Sequence, residues 1–207
     1  GGRMSRLRFA IVLTLAVLAA PTLAQLRGHG GPVRAVAVAQ DGRIALSGGF
    51  DQSAILWDLE RGAALAVLRF HDGAVNAAAA LADGRFATAG EDGRIALWRV
   101  GETAPERVIE AHRGPIAALA AAPDGRHIAT ASWDGTAKVT ALDGGAAREL
   151  NGHQGNVNGI AFAPDGGVVT AGYDATLRIW PAGEGAPAIV TLPTPLNAVA
   201  VAPDGEI

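Results

Sequence analysis

The sequence predicts an all-β fold: a propeller of four complete four-stranded blades and the start of a fifth. Two observations carry this. A tight Asp-Gly turn recurs as QDGR at 40–43, ADGR at 82–85, PDGR at 123–126, PDGG at 164–167 and PDGE at 203–206, its Asp residues 42, 41, 41 and 39 apart. Self-similarity at about 40–45 residues is the period of a propeller blade. Short runs with period-two alternation flank each turn, as in 33–38 and 43–46. Alternation joined by Asp-Gly reads as an antiparallel hairpin.

The other strands follow in order. A second tight turn closes each hairpin: FDQS at 50–53, EDGR at 91–94, WDGT at 133–136 and YDAT at 173–176. It leads into a third strand, such as Ala54-Ile55-Leu56-Trp57. A Gly-rich connection and one more strand, Arg148-Glu149-Leu150 in the third unit, complete the set. The units are placed at about 26–66, 67–107, 108–148 and 149–188, with an incomplete one at 189–207.

Composition agrees. Apolar residues make up 49% and charged residues 18%, enough for a core, while 28 Gly and 11 Pro argue against a long-helix bundle. The formal charge of −3 gives no basic stripe for nucleic acid. With no Cys, disulfide frameworks, Cys-ligated zinc and CxxCH haem attachment are excluded within these residues.

The first 24 residues read as an address. Arg6 and Arg8 precede an uncharged stretch from Phe9 to Ala20, then Pro21 and a small-residue cleavage site at Thr22-Leu23-Ala24. The stretch is shorter than the ~20 residues of a membrane span. The expectation is an exported, periplasmic or extracellular chain with no stable membrane span after cleavage. Its mature part, from Gln25 on, has 14 Lys+Arg against 20 Asp+Glu.

A second pattern is laid over the turns. His29, His71, His112 and His153 head the units. Ser47, Thr88, Thr130 and Thr170 follow, and Asp51, Asp92, Asp134 and Asp174 lie four further on. Six beyond the Asp stands Trp57, Trp98 or Trp180, and Thr140 in the third unit. With Gly28-His29…Trp57-Asp58 and Gly152-His153…Trp180, the chain from Leu26 onward resembles the WD40 repeat family. The resemblance implies that each His, Ser/Thr, Asp and Trp form a hydrogen-bonded tetrad inside a blade. Donors and acceptors match in such a chain of groups. The third unit departs most, with Ala111-His112 and Thr140-Ala141, so its network is expected to be shorter and its blade looser.

Catalysis is set aside. A triad occurs once, whereas this set recurs in every unit, and no GxSxG elbow, P-loop or GxGxxG is present. One His per blade spreads possible metal ligands around a ring instead of converging them. His127 reads as a solvated strand residue. No cofactor or metal is expected within these residues.

The resemblance implies a non-catalytic scaffold binding a protein partner. The contact face is the one bearing the loops that hold the tetrad Asp. Just before those Asp residues stand Phe50, Glu91, Trp133 and Tyr173. Near the starts of the first strands, Arg34, Asn76, Asn156, Asn158 and Asn197 match the family's contact positions. Aromatic residues are only 5% of the chain, yet three of the four pre-Asp positions carry one, and Trp and Tyr anchor many interfaces.

The chain stops inside a hairpin at PDGEI, so a longer natural protein and an open arc are expected. Gln25–Gly28 are too few for an outer strand of the first blade, which is expected to come from beyond Ile207. Exported chains of this Ala-rich type also resemble propellers followed by a c-type haem domain. That implies an alternative, an electron-transfer protein whose haem lies C-terminal to these residues.

Overall fold

The computed structural model describes residues 25–207; the signal reading of 1–24 lies outside the described residues. Sixteen strands form four antiparallel sheets of four, each strand pairing with the next in sequence. The first sheet holds β1 (Val33–Val38), β2 (Ile44–Gly49), β3 (Ser53–Asp58) and β4 (Ala63–Arg69). The second holds β5 (Val75–Ala80), β6 (Phe86–Gly90), β7 (Arg94–Trp98) and β8 (Arg107–Glu110). The third holds β9 (Ile116–Ala121), β10 (His127–Ser132), β11 (Ala137–Ala141) and β12 (Arg148–Leu150). The fourth holds β13 (Val157–Phe162), β14 (Val168–Gly172), β15 (Thr176–Trp180) and β16 (Ala188–Thr191). Among the described residues no helix is long and apolar enough to cross a membrane.

The sheets pack face to face in chain order. Leu46, Leu56 and Leu68 of the first meet Phe86, Ala96 and Trp98 of the second. Ala87, Ile95 and Leu97 of the second meet Ile116, Ile128 and Leu142 of the third. Ala129 and Ala131 of the third meet Val157, Val168 and Trp180 of the fourth. Each buried Leu or Ile contributes about 1.5–3 kcal/mol. In the second and fourth sheets the face carrying the tryptophan turns toward the preceding sheet. In the first sheet the corresponding cluster is Ala45, Ile55 and Trp57. The four sheets are not closed into a ring.

The structure corrects two expectations. The first sheet draws its outer strand, β4, from its own stretch of chain, so no outside segment is required for it. The opening hairpin of a fifth blade is not formed: among the described residues no strand follows Thr191. Only the turn persists, with Ala202 N donating to Glu206 O (2.7 Å) as Ala163 N does to Gly167 O (2.8 Å). A turn of this kind is local, whereas a ladder needs a partner strand. The unit divisions at 66, 107, 148 and 188 fall inside the outer strands β4, β8, β12 and β16. Those strands are largely exposed, as in all four residues of β16, and lack the apolar alternation that marks a strand's end.

Every innermost strand carries a bulge at one equivalent place. Arg34, Asn76, Ala117 and Asn158 are skipped in the pairing of β1, β5, β9 and β13 with their neighbours. A bulge re-aims the side chain it carries, and this decides the fate of two expected contact residues below.

Candidate functional site: four histidine networks and the rim they hold

Each network ties the segment before a sheet's first strand to its second and third strands. In the first sheet His29 Nδ1 lies 3.0 and 3.1 Å from the two Asp51 carboxylate oxygens, and Nε2 lies 2.8 Å from Ser47 Oγ. Trp57 Nε1 donates to that same hydroxyl at 2.7 Å. The second sheet repeats this with His71, Asp92 (3.0 Å to each oxygen), Thr88 (2.9 Å) and Trp98 (2.9 Å). So does the fourth, with His153, Asp174 (3.0 and 3.1 Å), Thr170 (2.8 Å) and Trp180 (3.0 Å).

Indole N–H only donates, so in three sheets the hydroxyl accepts from its tryptophan, and each imidazole bridges its hydroxyl and its carboxylate through the two ring nitrogens. Donors converge on the aspartate. Backbone amides join them: Gly30 N (2.7 Å) on Asp51, Asp72 N (3.1 Å) on Asp92, Arg113 N (3.1 Å) on Asp134 and Gln154 N (2.9 Å) on Asp174.

The third network is shorter. His112 lies 3.0 Å from one oxygen of Asp134 and 2.9 Å from Thr130 Oγ1, with no indole behind it. Thr140, at the Trp position, is buried. A second difference goes with it. Gly49, Gly90 and Gly172 pass so close to the ring that a Cβ would stand 2.8, 2.8 and 2.4 Å from the respective histidine Nδ1. The third sheet has Ser132 there, and its imidazole reaches one carboxylate oxygen instead of two.

The sequence reading missed one member of the network. Two residues beyond the Asp, Ser53, Thr136 and Thr176 donate their hydroxyls to Asp51, Asp134 and Asp174 at 2.8, 2.7 and 2.8 Å. The recurrent Asp-x-Ser/Thr spacing was the available signal. In the second sheet Arg94 takes the place, its Nε 3.1 Å from Asp92 and its guanidinium 4.8 Å over the Phe70 ring.

Electrostatics follows. Burial resists ionisation of Asp51, Asp92, Asp134 and Asp174, but the converging hydrogen bonds outweigh it and hold all four below the usual carboxylate range, Asp92 at about 2. Burial pushes His112 and His153 down, against the pull of their aspartates. The stability of a group with a depressed folded pKa is complete above its unfolded value and is lost as pH falls. Unfolding titrations should therefore show full stability above about pH 6.5, a first loss below it as the unfolded histidines take up protons, and a second below about pH 4 from the aspartates. Stability that is flat from pH 7 to pH 4 would contradict the burial that pushes His112 and His153 down.

The networks pin the loops that carry the expected contact residues. Phe50, Trp133 and Tyr173 are 48, 42 and 62% exposed. Arg34 lies 5.5 Å over the Phe50 ring. Glu91 is exposed and accepts from Ala74 N at 3.2 Å. Asn156 is half-buried, with its carbonyl accepting from Tyr173 N, and Asn197 is exposed.

Two expected contacts are corrected. Asn76 is buried, and its amide donates to Ile116 O of the third sheet at 3.1 Å. Asn158 donates to Leu196 O at 2.9 Å and accepts from Trp133 Nε1 at 3.1 Å. From the bulge, Asn76 latches the second sheet to the third, and half-buried Asn158 ties the fourth sheet to the Trp133 loop and to the segment after β16. His127, exposed, lies 2.6 Å from an Asp124 carboxylate oxygen.

The family described as "WD domain, G-beta repeat" matches residues 21–58, 62–99, 103–140 and 144–181. The chain belongs to the WD40 repeat family. WD40 propellers are in general non-catalytic protein-interaction scaffolds. The crystal structure of the WD40 β-propeller domain of Doa1 superposes with a TM-score of 0.78 and 28% identity, covering 88% of this chain and 61% of that one. Two rice proteins (Oryza sativa subsp. japonica) match over one repeat length. Small ribosomal subunit protein RACK1z is 55% identical over 40 residues, and RACK1y is 51% identical over 41 residues. Each match covers 12% of the rice protein and 19 or 20% of this chain. Three WD40 windows are staggered against the sheets: 62–99 runs from β4 to β7, 103–140 from β8 to β11 and 144–181 from β12 to β15, so each of the three takes the outer strand of one sheet and three strands of the next.

Proposed function

We propose that the chain is a non-catalytic docking scaffold whose contact surface is the rim formed by Phe50, Trp133 and Tyr173, with Arg34, Glu91, Asn156 and Asn197 beside them. One observation carries this reading. Three exposed aromatic side chains stand at the same position of three different sheets, each on a loop fixed by a histidine–aspartate network. Rigid aromatics bury large area with few rotors. The networks supply stiffness, and both ring nitrogens of each histidine are engaged by a neighbour, which suits support and not turnover.

A Trp133→Ala/Tyr173→Ala double variant should lose its partner in quantitative affinity capture from the cells that make the protein, while keeping its circular dichroism spectrum and melting temperature. Equal yields from wild type and variant would remove this rim from consideration. Export belongs to the same proposal and draws on Arg6, Arg8 and the uncharged run before Ala24. N-terminal sequencing of protein recovered from the periplasmic fraction should begin at Gln25; recovery in the cytoplasm with an intact Met4 would overturn it.

A further inference from the structure

The antiparallel order puts the Asp-bearing loops at one end of the sheets and the recurrent Asp-Gly turns at the other. At that other end each pair of neighbouring sheets leaves a cleft. The cleft between the first and second sheets is about 370 Å³ and mostly apolar, with Asp41 facing Arg85. The one between the third and fourth is about 620 Å³, and its Arg148 and His127 are set against Asp124 and Asp165. The cleft between the second and third is about 680 Å³ and differs in kind, because Arg85, Arg99, Arg107 and Arg126 all line it. Four of the 14 cations of residues 25–207 meet there, in a stretch where acids outnumber bases.

Its acids do not consume this charge. Asp83 is engaged by Arg85 at 2.7 Å, and Glu106 by Arg85 at 3.2 Å and Arg99 at 2.6 Å. Asp143 is the third acid, so four guanidinium groups face three carboxylates. Among the described residues neither Arg107 nor Arg126 has an ion-pair partner. Arg107 is nonetheless held in place. One arm donates to Leu142 O across the cleft at 2.8 Å. Its guanidinium also lies against Gly144, where the φ of +97° suits glycine and a Cβ would stand 2.4 Å from Arg107 Nη2. A guanidinium fork fixed in advance binds a carboxylate at little ordering cost.

From this geometry we infer that the cleft binds an acidic peptide segment of a protein partner, its carboxylates taken by Arg107 and Arg126. The surface lies at the opposite end from the aromatic rim and stands independently of it. Charge complementarity selects the occupant, and the cavity is within the range that holds a ligand of a few residues.

Fluorescence anisotropy of the full chain at low salt, with a short labelled peptide of alternating glutamate and glycine, tests this. Arg126→Glu should weaken binding about tenfold and Arg126→Lys less than about twofold. Arg43→Glu, at the same turn position of the first repeat, should leave binding unchanged. Added salt should weaken the wild-type complex. The Arg126 side chain has no hydrogen-bond partner among the described residues, so its variants should melt with the wild type. The inference is overturned if the glutamate peptide fails to bind or if Arg126→Glu binds as the wild type does. Equal loss with Arg43→Glu would do the same, as would inorganic phosphate displacing the peptide at concentrations where acetate does not.

Discussion

Asp92→Ala should remove about 3 kcal/mol or more of folding stability, since each buried donor left without its acceptor costs about 1–3 kcal/mol. The carboxylate accepts from His71 Nδ1, from the Asp72 and Arg94 amides and from Arg94 Nε. Its side chain is 6% exposed and that of His71 only 2%. Deletion leaves four donors without their acceptor, and water has little access to replace it. Asp92→Asn keeps one acceptor oxygen and should fall between the wild type and alanine. Asp134→Ala should cost less, since that carboxylate is more exposed and meets its histidine through one oxygen. Urea denaturation midpoints at pH 7 rank the three variants. Equal losses at Asp92 and Asp134 would show that burial and the two-oxygen contact do not set the strength of these networks.

Trp98→Ala should cost about 3–5 kcal/mol as well, by a different route. The indole is 1% exposed and packs against Leu46, Leu56 and Leu68 of the first sheet. It also meets Phe70 edge to face at 6.3 Å. Removing it opens a cavity between two sheets and leaves the Thr88 hydroxyl with His71 as its one side-chain partner. Thr140→Ala, at the equivalent position of the third sheet, removes only a methyl and a hydroxyl and should cost about 1 kcal/mol. A denaturation series on both variants checks the contrast. A loss at Trp98 no larger than at Thr140 would mean the sheets are held together elsewhere.

The repeat and its histidine networks were legible because spacing alone encodes them. A His, a hydroxyl, an Asp and a Trp at constant offsets survive any uncertainty in strand ends. The third network's weakness was legible too, from Thr140. Other features depend on which side chain meets which neighbour. Ser53, Thr136 and Thr176 look like ordinary turn residues until the carboxylate is seen beside them. Asn76 and Asn158 resemble surface amides in sequence, and their bonds to Ile116, Trp133 and Leu196 join positions about 25–40 residues apart that no local pattern links. The arginine cleft draws on residues from 83 to 143 and has no local signature. Outer-strand ends have weak signals because those strands carry few buried residues, such as Leu68 and Leu150, too few to set up a period.

The stagger between repeat and sheet has a genetic consequence. Removing a repeat such as 62–99 takes β4 from the first sheet and leaves β8 behind, whereas a cut between sheets, such as 70–110, takes one sheet whole. Duplicating or deleting one whole repeat keeps the stagger in register, because the newcomer supplies the strand its predecessor lacks and leaves its own tail for its successor. Such a molecule lengthens or shortens by recombination without ever exposing a half-built module.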